Sequence, residues 1–417
     1  MQQLEDDIRN LSSTLFGRLK AELLQVELIN LNLVFKDIKL AGSVTEGSFS
    51  ARLFEDDPDF SDRLHRQYEA DVEFTMFEID PKYNCLFEDI PGKPGFLRIY
   101  VGNGTKIPYA VTRFFNKTKI LLSSLVEDAT GYLLSNKIKE QYAREMKFGK
   151  DHLYVDVAKL FTYFLTHVPA TDISASRVIA EATKATSTFA FDILIHNRIG
   201  IKLSSDFAFV LRCNWSPFVY NNLRLRWSST WIASLNLISE LQTSYVIAKP
   251  SNEERDSENT TEFRYSFAHI ERKLISYRTS QQREVYLMFK SLFYRWLKPL
   301  DSVHLSSFIC KCTMLWMVET NPPNDPIWVE TTNTKPKALY HLLKKLQSYF
   351  TKGYMPYYFI PSINILQRIP TELTIQAAQI LVRIQDNLWL FFSPNKMELI
   401  LNYLRKTRSS ILRVSNF

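Results

Sequence analysis

A change of hydrophobic period near residue 252 constrains this chain more than any other feature. Upstream of it, apolar residues come in short alternating runs: EADVEFTMFEI (69–79), GFLRIYV (95–101), GIKLSSDFAFVL (200–211) and SYVIAKP (244–250). Alternation is the signature of half-buried strands, and Gly42 and the turn EDIPGKPG (88–95) punctuate them. Downstream of the charged loop NEERDSENTTE (252–262), apolar residues recur every three to four positions over 264–276, 281–298, 303–319, 336–350, 371–386 and 396–408. That period belongs to helices packed on helices. The expected architecture is therefore α+β with two lobes: a mixed β-sheet lobe over 1–255 and a helical lobe over 256–417. Leu4, Ile8, Leu11, Leu15, Leu19 and Leu23 add a long amphipathic helix over 4–27, and helical patterns are read near 119–146 and 174–188.

The 417 residues carry a net charge of +7 that is unevenly spread. From Arg264 onward there are 21 Lys and Arg against 9 Asp and Glu, a net of +12, whereas residues 1–263 hold 30 against 35, a net of −5. A basic C-terminal part suits a polyanionic partner, or is simply a solvated basic surface. The start, MQQLEDDIRN, is polar and acidic where a secretory signal needs a basic and then an apolar stretch, and no apolar run is long enough to span a bilayer. A cytoplasmic or nuclear protein that does not bind membranes is expected. The sequons at Asn103, Asn116, Asn214 and Asn259 would then stay unglycosylated, and Cys85, Cys213, Cys310 and Cys312 would stay reduced.

Within the strand DVEFTMFEI, Asp71 and Glu73 are two residues apart and so share a face. Adjacent carboxylates repel unless a cation lies between them. Hard oxygen donors of this kind suit Mg²⁺, which keeps open positions for phosphate oxygens. The Gly42–Ser43 pair ahead of the strand offers backbone N–H groups and a hydroxyl to such phosphates. Asp206, in SSDFAFVL, offers a third carboxylate from another strand. This is the donor set of two-metal nucleotidyl transfer. A lone D-x-E is more often an ordinary half-exposed strand, and Asp206 alone reads as a strand-end turn residue.

The order of these blocks resembles the nucleotidyltransferase core of cyclic GMP-AMP synthase and the wider Mab-twenty-one family. The helical part extends the likeness through FRYSFAHIERKLI (263–275), HLSSFICKCTMLWMVE (304–319) and MPYYFIPSINIL (355–366), which is close to the family's Y-F-I-P-x-x-N-L signature. The chain resembles an animal cyclic GMP-AMP synthase-like receptor of the thumbless invertebrate type. The resemblance implies a bilobal nucleotidyltransferase fold with the first helix as its spine. It implies that Asp71, Glu73 and Asp206 hold Mg²⁺, with Mn²⁺ able to substitute, and that Asp206 helps deprotonate the attacking ribose hydroxyl. Gly42 and Ser43 would hold the donor triphosphate, with TEGSFSAR (45–52) as an activation loop that a ligand orders. Lys290 and Ser307 would touch phosphate, Phe308 would stack on a base, Arg264 would contact a base, and Lys249 would lie near the acceptor. The ordinary readings are a solvated helix face for Lys290 and Arg264, a helix N-cap for Ser307 and a core aromatic for Phe308. Ala268 stands where the family often has a base-reading serine, which leaves ATP with GTP or another NTP pair as substrates.

The vertebrate enzyme's zinc thumb has no counterpart, because KLISYRTSQQREVYLMF (273–289) contains neither Cys nor His. No structural zinc is expected, since Cys310 and Cys312 are two apart on a helix and point to different sides. The resemblance implies a sensor of double-stranded nucleic acid, RNA favoured over DNA, whose cyclic dinucleotide product is read by a STING-type receptor. Arg18, Lys20, Lys273, Arg278 and Arg283 would track the phosphate backbone, or form an ordinary basic surface. The alternatives are a catalytically silent scaffold or nucleotide-binding module of the same family, a double-stranded DNA sensor, and a transferase with a linear product.

Overall fold

The computed structural model describes residues 33–41, 52–54, 65–79, 85–101, 111–114, 118–121, 130–137, 177–184, 189–196, 201–213, 216–237, 241, 244–249, 251, 260–329 and 334–388. The helix read over 4–27, with Arg18 and Lys20, lies outside them, as do Gly42, Ser43 and 396–408. The chain divides into two compact units, Met1–Arg226 with Leu235–Tyr277, and Trp227–Ser234 with Arg278–Phe417.

The first unit is built on a ten-stranded sheet. Its main path joins β1 (Leu33–Ala41), β3 (His65–Ile79), β10 (Ile201–Cys213), β11 (Ser244–Ile247), β12 (Phe263–Ser266), β5 (Phe96–Tyr100) and β4 (Leu86–Asp89) in that order. Off this path, β2 (Arg52–Phe54) pairs with β3, and β8 (Arg177–Lys184) pairs with β9 (Phe189–His196), which pairs with β10. Among the described residues only β3 and β10 run parallel, and the other pairings in the sheet are antiparallel. The sheet is mixed, as the two-lobed α+β reading requires. A separate hairpin joins β6 (Val111–Phe114) to β7 (Thr118–Leu121). Strand alternation shows directly in β5, where Leu97 and Ile99 are fully buried while Arg98 between them is exposed. Gly92 and Gly95 close the β4–β5 turn at φ 74° and 84°, a left-handed conformation that glycine adopts without a Cβ clash. Helix α1 (Pro217–Ser228) follows β10, and α2 (Ala268–Ser276) follows β12.

Three expectations are corrected here. Residues 177–184, read as helical, form strand β8. Residues 119–121, at the start of the helical pattern read near 119–146, lie in β7. Residues 263–266 form β12, so the helix read over 264–276 starts only at Ala268.

The second unit is helical. Helix α3 (Ser280–Leu292) continues through a π-turn at Phe293–Leu297 and a 3-10 turn at Lys298–Leu300. Then come α4 (Phe308–Thr320), α5 (Thr334–Lys352) and α6 (Thr371–Asp386). Helix α5 is central and packs on α3, α4 and α6. The α3 start carries a capping box: Gln282 N–H donates to Thr279 Oγ1 at 3.2 Å, and Thr279 N–H donates to Gln282 Oε1 at 3.0 Å. The core is aromatic, with Phe289, Phe293, Phe350, Tyr358 and Phe359 all buried. Trp316 donates its indole N–H to the Pro356 carbonyl at 2.9 Å and so ties α4 to the MPYYFIPSINIL segment.

Candidate active site

Backbone register assembles the acidic part of the site. Strand β1 runs antiparallel to β3 and ends with Ala41 level with Val72, the residue between Asp71 and Glu73. Strand β2 rejoins the same edge with Arg52 level with Gln67.

On the other side of β3 lies β10, with Asp206 also level with Val72. Ala41, Val72 and Asp206 form one row across three strands. Asp206 is thus one register step from Asp71 and from Glu73, and the pairing shifts between Ser204 and Asp206. Next to this row the sheet forks. Strand β10 pairs with β9 as far as Phe207 and with β11 only from Val210.

The exit of β11 points to the same level. It is antiparallel to β10, so its residues advance toward the Asp206 end, and Lys249 follows two residues after Ile247. Arg264, on β12, is level with Ile247. Both side chains are half-buried. The first unit thus brings Asp71, Glu73, Asp206 and Lys249 to one zone of the sheet, with Arg264 one strand beyond.

Lys290, Ser307 and Phe308 belong to the second unit. Ser307 occupies the N-cap of α4, yet its side chain makes no capping hydrogen bond. Phe308 is half-buried, and its ring lies 5.7 Å from that of Tyr357, tilted by 48°. The Tyr357 ring in turn meets Phe359 edge-on at 5.8 Å. Tyr357 escaped the sequence reading, although it lies within the MPYYFIPSINIL block. Its pairing with Phe308 is non-local and only a fold reveals it. Lys290 is 5% exposed, with its ammonium 5.8 Å from the centre of the Tyr294 ring. It lowers the pKa of the Cys310 thiol, but burial outweighs it and pushes that thiol up. An inward lysine differs from the solvated helix face that is its ordinary sequence reading.

The basic candidates separate clearly. Lys273 and Arg283 are exposed. Arg278 is 4% exposed, and its guanidinium carbon lies 4.8 Å above the Tyr286 ring. Its charge is spent inside the helical unit, which corrects the expectation of a phosphate-facing row of three.

Asp71 and Glu73 share one phase of β3, whereas Asp206 is level with Val72 between them, so the pairing as it stands does not set the three carboxylate residues in the single row that a shared Mg²⁺ asks for. Among the described residues no group of three or more His, Cys, Asp or Glu side chains is gathered for a metal. Nor is any described helix long and apolar enough to cross a membrane.

Comparison with known proteins bears on the helical part. Residues 281–383 match the Mab-21 protein HhH/H2TH-like domain. No curated protein matches the chain. The Mab-21 segment runs from α3 into the last turn of α6 and holds Arg283, Lys290, Ser307, Phe308 and Tyr357. The acidic strands lie upstream of it. A Mab-21 segment behind a mixed sheet is in line with a nucleotidyltransferase-like fold.

Proposed function

We propose that this chain is a Mg²⁺-dependent nucleotidyltransferase that joins two NTPs, ATP with GTP or another pair, into a cyclic dinucleotide when double-stranded nucleic acid binds. The observation that supports the reading is that β3, the strand of Asp71 and Glu73, pairs directly with β10, where Asp206 is level with Val72 between them. Asp71, Glu73 and Asp206 would hold the metal. A Mg²⁺ held there would supply neutralisation of the triphosphate and of charge on the leaving oxygen. Asp206 would take the proton of the attacking ribose hydroxyl. Lys249 and Arg264 would orient the acceptor nucleotide, and Ser307 and Phe308 would hold phosphate and base. Duplex RNA is the favoured activator and a STING-type receptor the reader of the product, both on the strength of the family resemblance.

A second reading has its own observations. Asp206 is one register step out of line with the acidic pair, and Lys290 is turned inward. Both suit a silent Mab-21-type scaffold that binds nucleotide or protein without chemistry. Purified protein incubated with labelled NTPs, Mg²⁺ or Mn²⁺ and a panel of duplexes decides between them. A cyclic dinucleotide that appears only with duplex supports the enzyme. Absence of any NTP-derived product under every condition leaves the scaffold.

A further inference from the structure

Helix α5 shows one face of unusual charge. Its sequence, TKPKALYHLLKKLQSYFTK, holds five lysines and no acid, and no Asp or Glu occurs between Glu330 and Glu372. Ala338, Leu339, Leu342, Leu343, Leu346 and Phe350 are buried and fix the inner face. At 100° per residue the opposite face carries Lys337, Tyr340, His341, Lys344 and Lys352, all of them exposed. From Lys337 to Lys352 this stripe is about 22 Å long, at 1.5 Å per residue. Tyr340 is 38% exposed and sits edge-on to His341 at 6.0 Å. Among the described residues no carboxylate forms an ion pair with Lys337, Lys344 or Lys352. Lys345 is different: it turns in and its ammonium donates to the Trp316 carbonyl at 3.4 Å. His341 reports the local field. Beyond the effect of burial, Lys337 and Lys344 both hold its pKa below the usual value, and Asp325 opposes them only in part.

We infer that the exposed face of α5, through Lys337 and Lys344 with Tyr340 between them, binds the phosphate backbone of a nucleic-acid duplex. A solvated basic helix normally carries acids at i±4 that neutralise it. Here none is present over two turns on either side, so the field extends outward to a polyanion. Its contacts go to phosphate, which carries no base sequence. This deepens the ligand part of the proposed function and rests on that part alone, not on the carboxylate chemistry.

The test uses the full chain and fluorescent duplex RNA and DNA of mixed sequence, with affinity measured across salt. Neutralising both lysines (K337Q/K344Q) removes two phosphate contacts, and the slope of log K against log salt should fall in magnitude by about 2. Between about 50 and about 200 mM salt the native chain should therefore lose roughly tenfold more affinity than the variant. The control R224Q/R383Q removes two exposed cations from α1 and α6 and should leave the slope unchanged. An unchanged slope in K337Q/K344Q, or an equal fall in the control, overturns the inference. So does a variant that loses only its binding to anionic phospholipid vesicles while duplex binding stays intact. NTP turnover is read separately. A protein that binds duplex through α5 and makes no product refutes the enzyme and leaves this surface standing.

Discussion

Replacing Arg278 with Glu should unfold the helical unit rather than weaken ligand binding. The guanidinium is almost fully enclosed and lies 4.8 Å above the Tyr286 ring, itself 2% exposed. A desolvated cation–π contact of this kind is worth about 2 kcal/mol. A glutamate at the same place brings a carboxylate into the same enclosed site, against the negative face of the ring. An uncompensated buried charge costs about 3–5 kcal/mol. The site also abuts the first turn of α3, where Gln282 is fully buried within the capping box. A loss of about 5 kcal/mol, at a urea m-value of about 2–3 kcal/mol per molar, moves the unfolding midpoint down by roughly 2 M. The contrast is K273E/R283E. Both residues are exposed, and surface substitutions usually stay within about 0.5 kcal/mol each. Urea unfolding followed by circular dichroism separates the two cases. A native midpoint for Arg278→Glu would refute the reasoning and return Arg278 to the ligand surface. If the expected result is found, loss of activation in a triple reversal of Lys273, Arg278 and Arg283 reports unfolding, and only the double variant tests nucleic-acid binding.

Asp71→Ala with Glu73→Ala should abolish product in a labelled-NTP assay while leaving the unfolding midpoint near native, because metal clamping supplies several kcal/mol of transition-state stabilisation; near-native turnover would end the nucleotidyltransferase reading. Phe308→Ala should raise the nucleotide KM in line with a stacked base worth about 1–3 kcal/mol, and destabilisation with an unchanged KM would assign the ring to the core with Tyr357. His341 should titrate below 6.5 by NMR, since burial, then Lys337, then Lys344 disfavour its charged form. The K337Q/K344Q variant should raise that value part of the way back, and no movement would exclude the lysine field. Because the folded pKa is the lower one, the unfolded chain takes up this proton first. The associated stability is present above about 6.5 and is lost as pH falls through the folded value.

The strands that alternate cleanly were legible. EADVEFTMFEI lies within β3, GIKLSSDFAFVL nearly coincides with β10, and SYVIAKP opens with β11. The helices α3, α5 and α6 were equally plain, because each hides one apolar stripe. RVIAEATK was misread because Ala, Glu and Lys favour helix locally, and only pairing with β9 along its whole length overrides that preference. FRYS shows the strand period, with Phe263 and Tyr265 buried, but four residues are too few to stand out ahead of a helix. Helix α1 went unread because Phe218 and Leu225 are exposed and blur its apolar stripe. Of the site, residue types and order were readable, but burial was not. Arg and Lys are almost always at the surface, so a sequence gives no reason to place Arg278 or Lys290 inside. The contact between Phe308 and Tyr357 joins positions too far apart for any local pattern to report.

The two functional readings part at a single register step. In a parallel pair, residues that are level lie on one face, and a shift of one residue exchanges the faces. Asp206 is level with Val72, while catalysis asks for a carboxylate in the row of Asp71 and Glu73. The irregularity between Ser204 and Asp206 is the feature that sets this phase, since an extra residue on one strand re-aims every side chain beyond it. Bulges of this kind cluster beside active sites. Asp206→Asn keeps the size of the side chain and removes its charge, so the sheet should survive. If Asp206 is the proton acceptor, the rate of product formation should fall by about 10²–10⁴ with little change in nucleotide affinity. An unchanged rate, with the Asp71 and Glu73 variants dead, would remove Asp206 from the chemistry and turn attention to Asp192, which is level with Ser204 on the other flank of β10. A wild type that yields no product, with nucleotide binding unaffected by Asp206→Asn, would mean that the phase seen between β3 and β10 is the working one, and that the acidic strand serves a binding module and not an enzyme.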